Sequence, residues 1–377
     1  MNTADFMDLD LAPRILLGPG PSMVSPRVLR AMATPLVGHL DPQFLELMEE
    51  EQRLLRQLFQ TQNELTLAIP GTGTAGMEAA LCNFIEPGDR LLVGVIGFFG
   101  ERLCEIAVRY GAQVDRLECP WGQVLDPGQV ESALNNKKYK LLALVHAETS
   151  TGAWQPGIPE IAGAAHRNGT LLVLDTVTSL GGLPVEIDAW DVDVAYSGTQ
   201  KSLSSPPGLA PLTVSPRARQ ALHDRRTPVA NWYLDLNGLE KYWHSPHAYH
   251  HTAPISLHYA LREALRMALE EGLETRFARH RANAELLWEG LEDLDLPPLV
   301  PVEQRLPTLT TPQIPPGVGD AAVRRRLLED YNIEIAGGFG PLKEKVWRIG
   351  LMGFSSRREN VTLLLAALKE IIAKREA

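Results

Sequence analysis

Cysteine is scarce in this chain: Cys82, Cys104 and Cys119 are the only three among 377 residues. Three thiols at those spacings build neither a disulfide framework nor a cysteine zinc site, and they point to a reducing compartment. A basic excess is also missing. The formal charge is −10, with 46 acidic against 36 basic residues, which argues against nucleic acid or an anionic membrane as partner. No apolar run reaches the about eighteen residues of a membrane span. Residues 1–13 lack the charged-then-apolar layout of a secretory leader, and the final Lys-Arg-Glu-Ala377 is not a peroxisomal tripeptide. A cytoplasmic protein is the expectation. Repeats and low-complexity stretches are missing too. What is present, 45% hydrophobic and 22% charged residues, suits a globular protein of two domains.

Strands and helices alternate along the first half. Leu65–Ile69, Leu91–Val95, Val114–Leu117, Leu141–Val145 and Leu171–Leu174 read as strands. Helices follow Ser25-Pro26 and Asp41-Pro42, span Met77 to Ile85, run through Val108 and cover Pro159–Arg167. This alternation predicts an α/β fold with a doubly wound, mainly parallel sheet. Leu16-Leu-Gly-Pro-Gly-Pro21 is too rich in Pro and Gly for regular structure, and Gly97-Phe-Phe-Gly100 reads as a loop. From Leu257 leucines recur at four-residue spacing, offset at Gly272. Helix Ala321–Asp330, strands Ile333–Ile335 and Val346–Ile349, and helix Glu359–Lys374 then form an α+β unit. The expected organisation is an arm over residues 1–13, a large domain over 14–272 and a small C-terminal domain over 273–377.

The chemistry centres on Asp191 to Gly208. Val192, Val194 and Tyr196 alternate as in a short strand, Ser197-Gly-Thr199 breaks it, and Lys201 follows. No acid lies between Asp193 and Asp224 to pair with that lysine. Strand 171–174 is apolar on both faces, as in a buried parallel sheet, where ligands bind beyond the strands' carboxyl ends. Asp175 and Lys201 are therefore expected in one crevice. A Schiff-base lysine and an aspartate facing a pyridinium nitrogen are what pyridoxal phosphate chemistry requires; a solvated surface lysine is the plain alternative.

Gly71-Thr72-Gly73-Thr74-Ala75-Gly76 matches G-x-G-x-x-G between a strand and a helix. Asp89 falls short of the spacing a nicotinamide dinucleotide site needs, which disfavours a dehydrogenase. A phosphate cup at a helix N-terminus, helped by the Thr72 and Thr74 hydroxyls, and a purely structural turn both stay open. Phe98-Phe99 suits either a cover for a flat ring or a core position. The run His244-Ser-Pro-His-Ala-Tyr-His-His251 has no companion ligand set for zinc. Arg348, inside the apolar strand Val346-Trp-Arg-Ile-Gly350, needs a partner: a substrate carboxylate or an internal acid. No second arginine has that setting; Arg14 and Arg102 lie in less defined surroundings.

Several motifs together resemble the class V aminotransferases, specifically the alanine–glyoxylate and serine–pyruvate aminotransferases. They are Leu17-Gly-Pro-Gly-Pro-Ser22, Gly71-Thr-Gly-Thr74 with Glu78-Ala-Ala-Leu81, Glu148-Thr-Ser-Thr-Gly152, Asp175-Thr-Val-Thr-Ser-Leu-Gly-Gly182, Tyr196-Ser-Gly-Thr-Gln-Lys201 with Pro206-Pro-Gly208, and Tyr249-His-His-Thr252. Glu334-Ile-Ala-Gly-Gly338 and Arg348-Ile-Gly350 complete the set. The resemblance implies a fold-type I homodimer binding pyridoxal 5'-phosphate in composite sites. It implies Lys201 as the lysine bound to the cofactor, Asp175 at the pyridine nitrogen, and Thr149 beside the ring hydroxyl. Thr72, Gly73, Thr74 and Gln200 would hold the phosphate, joined by Tyr249 and Thr252 from the other subunit. Phe99 would stack on the ring where several relatives carry Trp. Arg348 would clamp the substrate carboxylate, with Gly20 and His39 on the substrate side. The implied reaction is ping-pong transfer from alanine or serine to glyoxylate, with ureidoglycine or a phosphonate amine as other donors. The related desulfurases need a cysteine near the small-domain loop, and residues 335–342 have none.

Overall fold

A computed structural model of the chain describes residues 9–373. Residues 9–13 of the expected arm carry no regular structure; its remainder, and the expected helix end at Lys374, lie outside the described residues.

The larger core is built on a seven-stranded sheet. Its strands run in the order Leu65–Pro70, Leu209–Val214, Val194–Tyr196, Leu171–Asp175, Leu141–Val145, Arg90–Val95 and Gln113–Glu118. All neighbours are parallel except around Leu209–Val214, which runs antiparallel to both of its partners. Leu141–Val145 and Leu171–Asp175 are buried at every residue. Their continuous apolar runs therefore suit a sheet covered on both faces. The fold is α/β with a mainly parallel sheet.

Local chemistry starts several helices where the sequence predicts. The Ser25 hydroxyl accepts from the Arg27 amide and the Asp41 carboxylate from the Gln43 amide, each with Pro at the first turn. Two starts differ from expectation. The helix after the glycine turn begins at Gly73, not Met77, and spans Gly73–Cys82. A Cβ at Gly73 would lie 3.0 Å from Val177 Cγ2, and one at Gly76 3.0 Å from Ala210 Cβ. Close packing against the sheet thus puts glycine inside a helix despite its poor propensity. Phe98 and Phe99 open the helix Phe98–Arg109 rather than sitting in a loop.

Long-range pairing explains a third difference. Leu16, read as irregular, forms with Ile15 a short strand that pairs in parallel with Ile333–Glu334. Leu17 joins a second core with Leu287, Leu327, Trp347, Ile349 and Leu364. Gly272, at φ +82, separates helix Ile255–Glu271 from helix Leu273–Glu292. The first helix packs into the sheet-centred core through Leu261 and Leu265, and the second into the smaller one through Leu287 and Leu291.

Candidate active site

Two adjacent parallel strands set the centre of the site. Asp175 ends one of them and stands in register with Tyr196 at the end of the next. The loop leaving Tyr196 carries Lys201, and both Asp175 and Lys201 line one cleft. Gly73, Thr74, Phe99, Thr149 and Gln200 line it too.

Asp175 is held from two sides. Its carboxyl accepts the Val177 N–H at 2.8 Å and the Tyr196 hydroxyl at 2.8 Å. Burial pushes its pKa up to about 7, against the pull of those two bonds. Of the nearby charges, that of Lys201 favours its ionised form and that of Glu148 opposes it; a protonated ring nitrogen in the cleft would add a second cation. Lys201 is also buried, and its amine donates to the Pro19 carbonyl with no acid as partner among the described residues. Burial first, and then the charge of Arg348, lower it to about 8. At pH 7 roughly one such lysine in ten is neutral and able to take a proton. Gly20 has φ +111, and a Cβ there would come within 2.8 Å of the lysine nitrogen. Only glycine leaves that amine its space.

Arg348 is buried, and its Nε donates to the Gly337 carbonyl at 2.8 Å. The Phe339 ring centroid lies 3.8 Å from its guanidinium carbon. No acid forms an ion pair with it among the described residues, so the two terminal nitrogens keep their donors for a carboxylate. Burial lowers its pKa to about 10, opposed by the charge of Glu148.

The phosphate end follows from helix Gly73–Cys82, whose first amides have no partner within the helix. Thr72 caps it without a side-chain bond. Gln200 Oε1 is buried with no partner, and the flipped amide would offer N–H donors there instead. Thr149 shares a hydrogen bond of 2.6 Å with Thr178. The remaining expected residues lie elsewhere in this chain. Tyr249 is 62% exposed with its ring 5.3 Å from that of His39, and Thr252 is exposed. In the histidine run, His250 stacks on Trp232 at 4.6 Å and meets His251 at 3.0 Å.

Two features escaped the sequence reading. Glu148 and Ser150 cap the helix that carries Phe99: the Phe99 amide donates to Glu148 at 3.2 Å and the Phe98 amide to the Ser150 hydroxyl at 3.0 Å. Ser150 in turn bonds the other Glu148 oxygen through its amide and its hydroxyl. A Cβ at Gly97 would lie 2.5 Å from Glu148 Cγ, so glycine admits this carboxyl. Glu148 is fully buried, and burial raises its pKa. Its motif was visible, but a cap from so far along the chain has no local signature. The second is Arg102, which borders the cleft. Arg14 bonds the Leu328 carbonyl and Asn332, outside the residues that line the cleft.

Asp175 makes a measurable demand on stability. Its folded pKa of about 7 lies above the ordinary aspartate value of 3.8, so the folded protein holds a proton that the unfolded chain releases. The stability it contributes is full below the unfolded value and is lost as pH rises to about 7, by up to about 4 kcal/mol. Buried His146 and His280, both lowered to about 3, act in the opposite sense, so the effect must be read as a difference. Asp175→Asn, unfolded by urea without cofactor, should gain on the wild type steadily from pH 4 to 7. A gap that does not change with pH would contradict the buried carboxyl.

A family model, aminotransferase class-V, matches residues 15–362. The chain belongs to the class V aminotransferases. Among solved structures, this aminotransferase is similar to an alanine–glyoxylate aminotransferase from Nostoc sp., with 55% identity and TM-score 0.95 over 97% of each chain. Among sequences, it is 42% identical to a (S)-ureidoglycine–glyoxylate transaminase of Bacillus subtilis, covering 97% of this chain and 92% of that one. It is 40% identical to an alanine–glyoxylate aminotransferase of Drosophila melanogaster, over 95% and 92% of the two chains. An aminotransferase acts on amino and oxo acids, and the dinucleotide-dehydrogenase reading of the Gly71–Gly76 turn falls. No helix among the described residues is long and apolar enough to cross a membrane.

Proposed function

We propose that this aminotransferase moves the amino group of alanine or serine to glyoxylate, in a ping-pong sequence with pyridoxal 5'-phosphate. Pyridoxal phosphate is the cofactor of the family, and the residues that line the cleft fit it. When bound, it supplies the electron sink for a carbanion at the substrate Cα. Asp175 would hold the ring nitrogen's proton, Phe99 would cover the ring face, and Thr149 would stand by the ring hydroxyl. Thr72, Gly73, Thr74 and Gln200 would hold the phosphate. Arg348 takes the substrate carboxylate with its two free terminal nitrogens, and this fixes the Cα–H bond relative to Lys201. The Lys201 amine then removes the Cα proton and returns it at the acceptor carbon. Gly20 leaves that amine room to move.

One observation carries the reading: a buried arginine without an acidic partner among the described residues, near enough to Lys201 for its charge to lower the amine's pKa. The names of the relatives add the acceptor, since each of the three ends on glyoxylate. The Bacillus relative favours (S)-ureidoglycine as a second donor. Steady-state kinetics over a donor panel with glyoxylate decide between them. Parallel double-reciprocal lines with alanine or serine are expected; a preference for ureidoglycine would move the donor, and a preference for glutamate or aspartate would overturn the proposal.

Tyr249, Thr252 and His39 belong in this reading to the partner subunit's site. Tyr249 is exposed, with its ring 5.3 Å from that of His39, and Leu40 next to His39 in the sequence is exposed as well. Hybrids of a Lys201→Ala subunit with a Tyr249→Phe, Thr252→Val subunit should regain activity that neither parent shows, because one composite site is then intact. A monomer in sedimentation at assay concentration would rule this out.

A further inference from the structure

We infer that Arg102 is the cation that neutralises the cofactor's phosphate, held ready by Thr74. This rests on the reading of the cleft as a pyridoxal phosphate site. A phosphate monoester carries about −1.5 to −2 charges at neutral pH. The groups assigned to it so far, Thr72, Gly73, Thr74, Gln200, Tyr249 and Thr252, are all uncharged. The N-terminus of helix Gly73–Cys82 contributes about half a positive charge. A full positive charge is still missing at that end.

Two cationic side chains border the cleft, Lys201 and Arg102. Lys201 is engaged at the Asp175 end and with the Pro19 carbonyl. Arg102 is half-buried, and its Nη1 donates to Thr74 Oγ1 at 3.0 Å. That bond uses the hydroxyl as acceptor, so the Thr74 O–H is left to point at an anion. No acid pairs with Arg102 among the described residues. The adjacent Glu101 is taken by Arg116 at 2.6 Å, and Glu78 by the Tyr110 hydroxyl at 2.6 Å. The guanidinium instead lies 4.9 and 5.2 Å from the ring centroids of Phe99 and Phe98. Those contacts support the cation without neutralising it or occupying its N–H donors.

The same capped helix presents both groups. Phe99 and Arg102 are three residues apart and so share a face of Phe98–Arg109. One rigid element then offers a flat ring to the cofactor and a planar fork to its phosphate. The sequence expectation concerned a second arginine in an apolar strand like that of Arg348, and Arg102, on a helix, leaves it untouched. Arg102 stands at the Thr74 end and not beside Arg348.

The test compares binding of pyridoxal 5'-phosphate and pyridoxal to the cofactor-free full-length chain, by titration calorimetry. Arg102→Gln should weaken the phosphorylated ligand by about tenfold or more, the scale of one charge-assisted hydrogen bond, and leave pyridoxal unchanged. Inorganic phosphate should compete with pyridoxal 5'-phosphate less well in the variant than in the wild type. Arg102→Lys should recover part of the loss. Equal weakening of both ligands, or of neither, overturns the inference. So does unchanged cofactor affinity with a selective loss of aspartate or oxaloacetate as substrates, which would place Arg102 at a substrate's distal carboxylate. A wild type that binds neither ligand would instead remove the pyridoxal phosphate reading itself.

Discussion

Lys201→Ala should lower turnover by about 10⁴-fold or more, since on the proposed reading both the proton carrier and the covalent anchor of the cofactor are lost. Binding should survive in part, because the helix N-terminus at Gly73 and the ring-facing carboxyl of Asp175 are untouched. No other amine is placed to substitute. Lys201 is the one lysine that lines the cleft among the described residues. Burial also makes its amine far more available than a surface lysine, with a pKa near 8. Borohydride treatment of the wild type followed by peptide mapping should find pyridoxyl on Lys201. Label on another lysine, or residual turnover within about a hundredfold of wild type, would refute the assignment.

Arg348→Lys should cost roughly 2–4 kcal/mol in kcat/KM, the loss of charge-assisted hydrogen bonds plus orientation. The substitution is informative because lysine keeps the charge and can keep the contact with the Phe339 ring. What it loses is the bond from Nε to the Gly337 carbonyl, which fixes the plane of the fork, and the fork itself. A carboxylate held at one point instead of two lets the Cα–H bond swing away from Lys201. Both KM and kcat should therefore worsen, kcat through orientation and KM through affinity. An effect on KM alone would mean that Arg348 attracts substrate without aligning it. The readout is steady-state kinetics with alanine and glyoxylate, each varied at saturating partner.

Much of this site could be read from residue order because one central group, Asp175, ends a strand and the other, Lys201, follows in the loop just past its neighbour. A buried parallel strand has a plain signature, apolar at every position, and Leu171–Leu174 shows it. Asp175 and Lys201 then follow from where such strands release the chain. Arg348 was legible for a similar reason, a cation in an apolar strand. The sequence left its partner open; the fold shows a carbonyl and an aromatic ring rather than an acid. Glycine was harder. Gly71 to Gly76 reads as a turn by composition, yet the helix begins at Gly73 because Val177 and Ala210 leave no room for side chains. Tight packing between distant segments decided that boundary, and propensity could not reveal it. Ile15–Leu16 became a strand only by pairing with Ile333–Glu334. The surface formed by Tyr249 and His39 was legible as motif alone, since nothing in a linear pattern says which subunit a side chain serves.

The cap on helix Phe98–Arg109 also has a consequence for synthesis. Glu148 lies 49 residues beyond the Phe99 amide it accepts from. At about 5–20 residues per second, a ribosome releases the helix some seconds before its cap exists. During that interval the first turn has only water for its free amides, and the ring of Phe99 has no fixed direction. A nascent or truncated chain ending before residue 148 therefore lacks a defined aromatic floor, even with strands 65–70 and 90–95 already made. Translation of the Glu148-Thr-Ser150 segment supplies that cap, while Asp175, Gln200 and Lys201 of the same cleft follow later still, which couples the order of manufacture to the order of assembly.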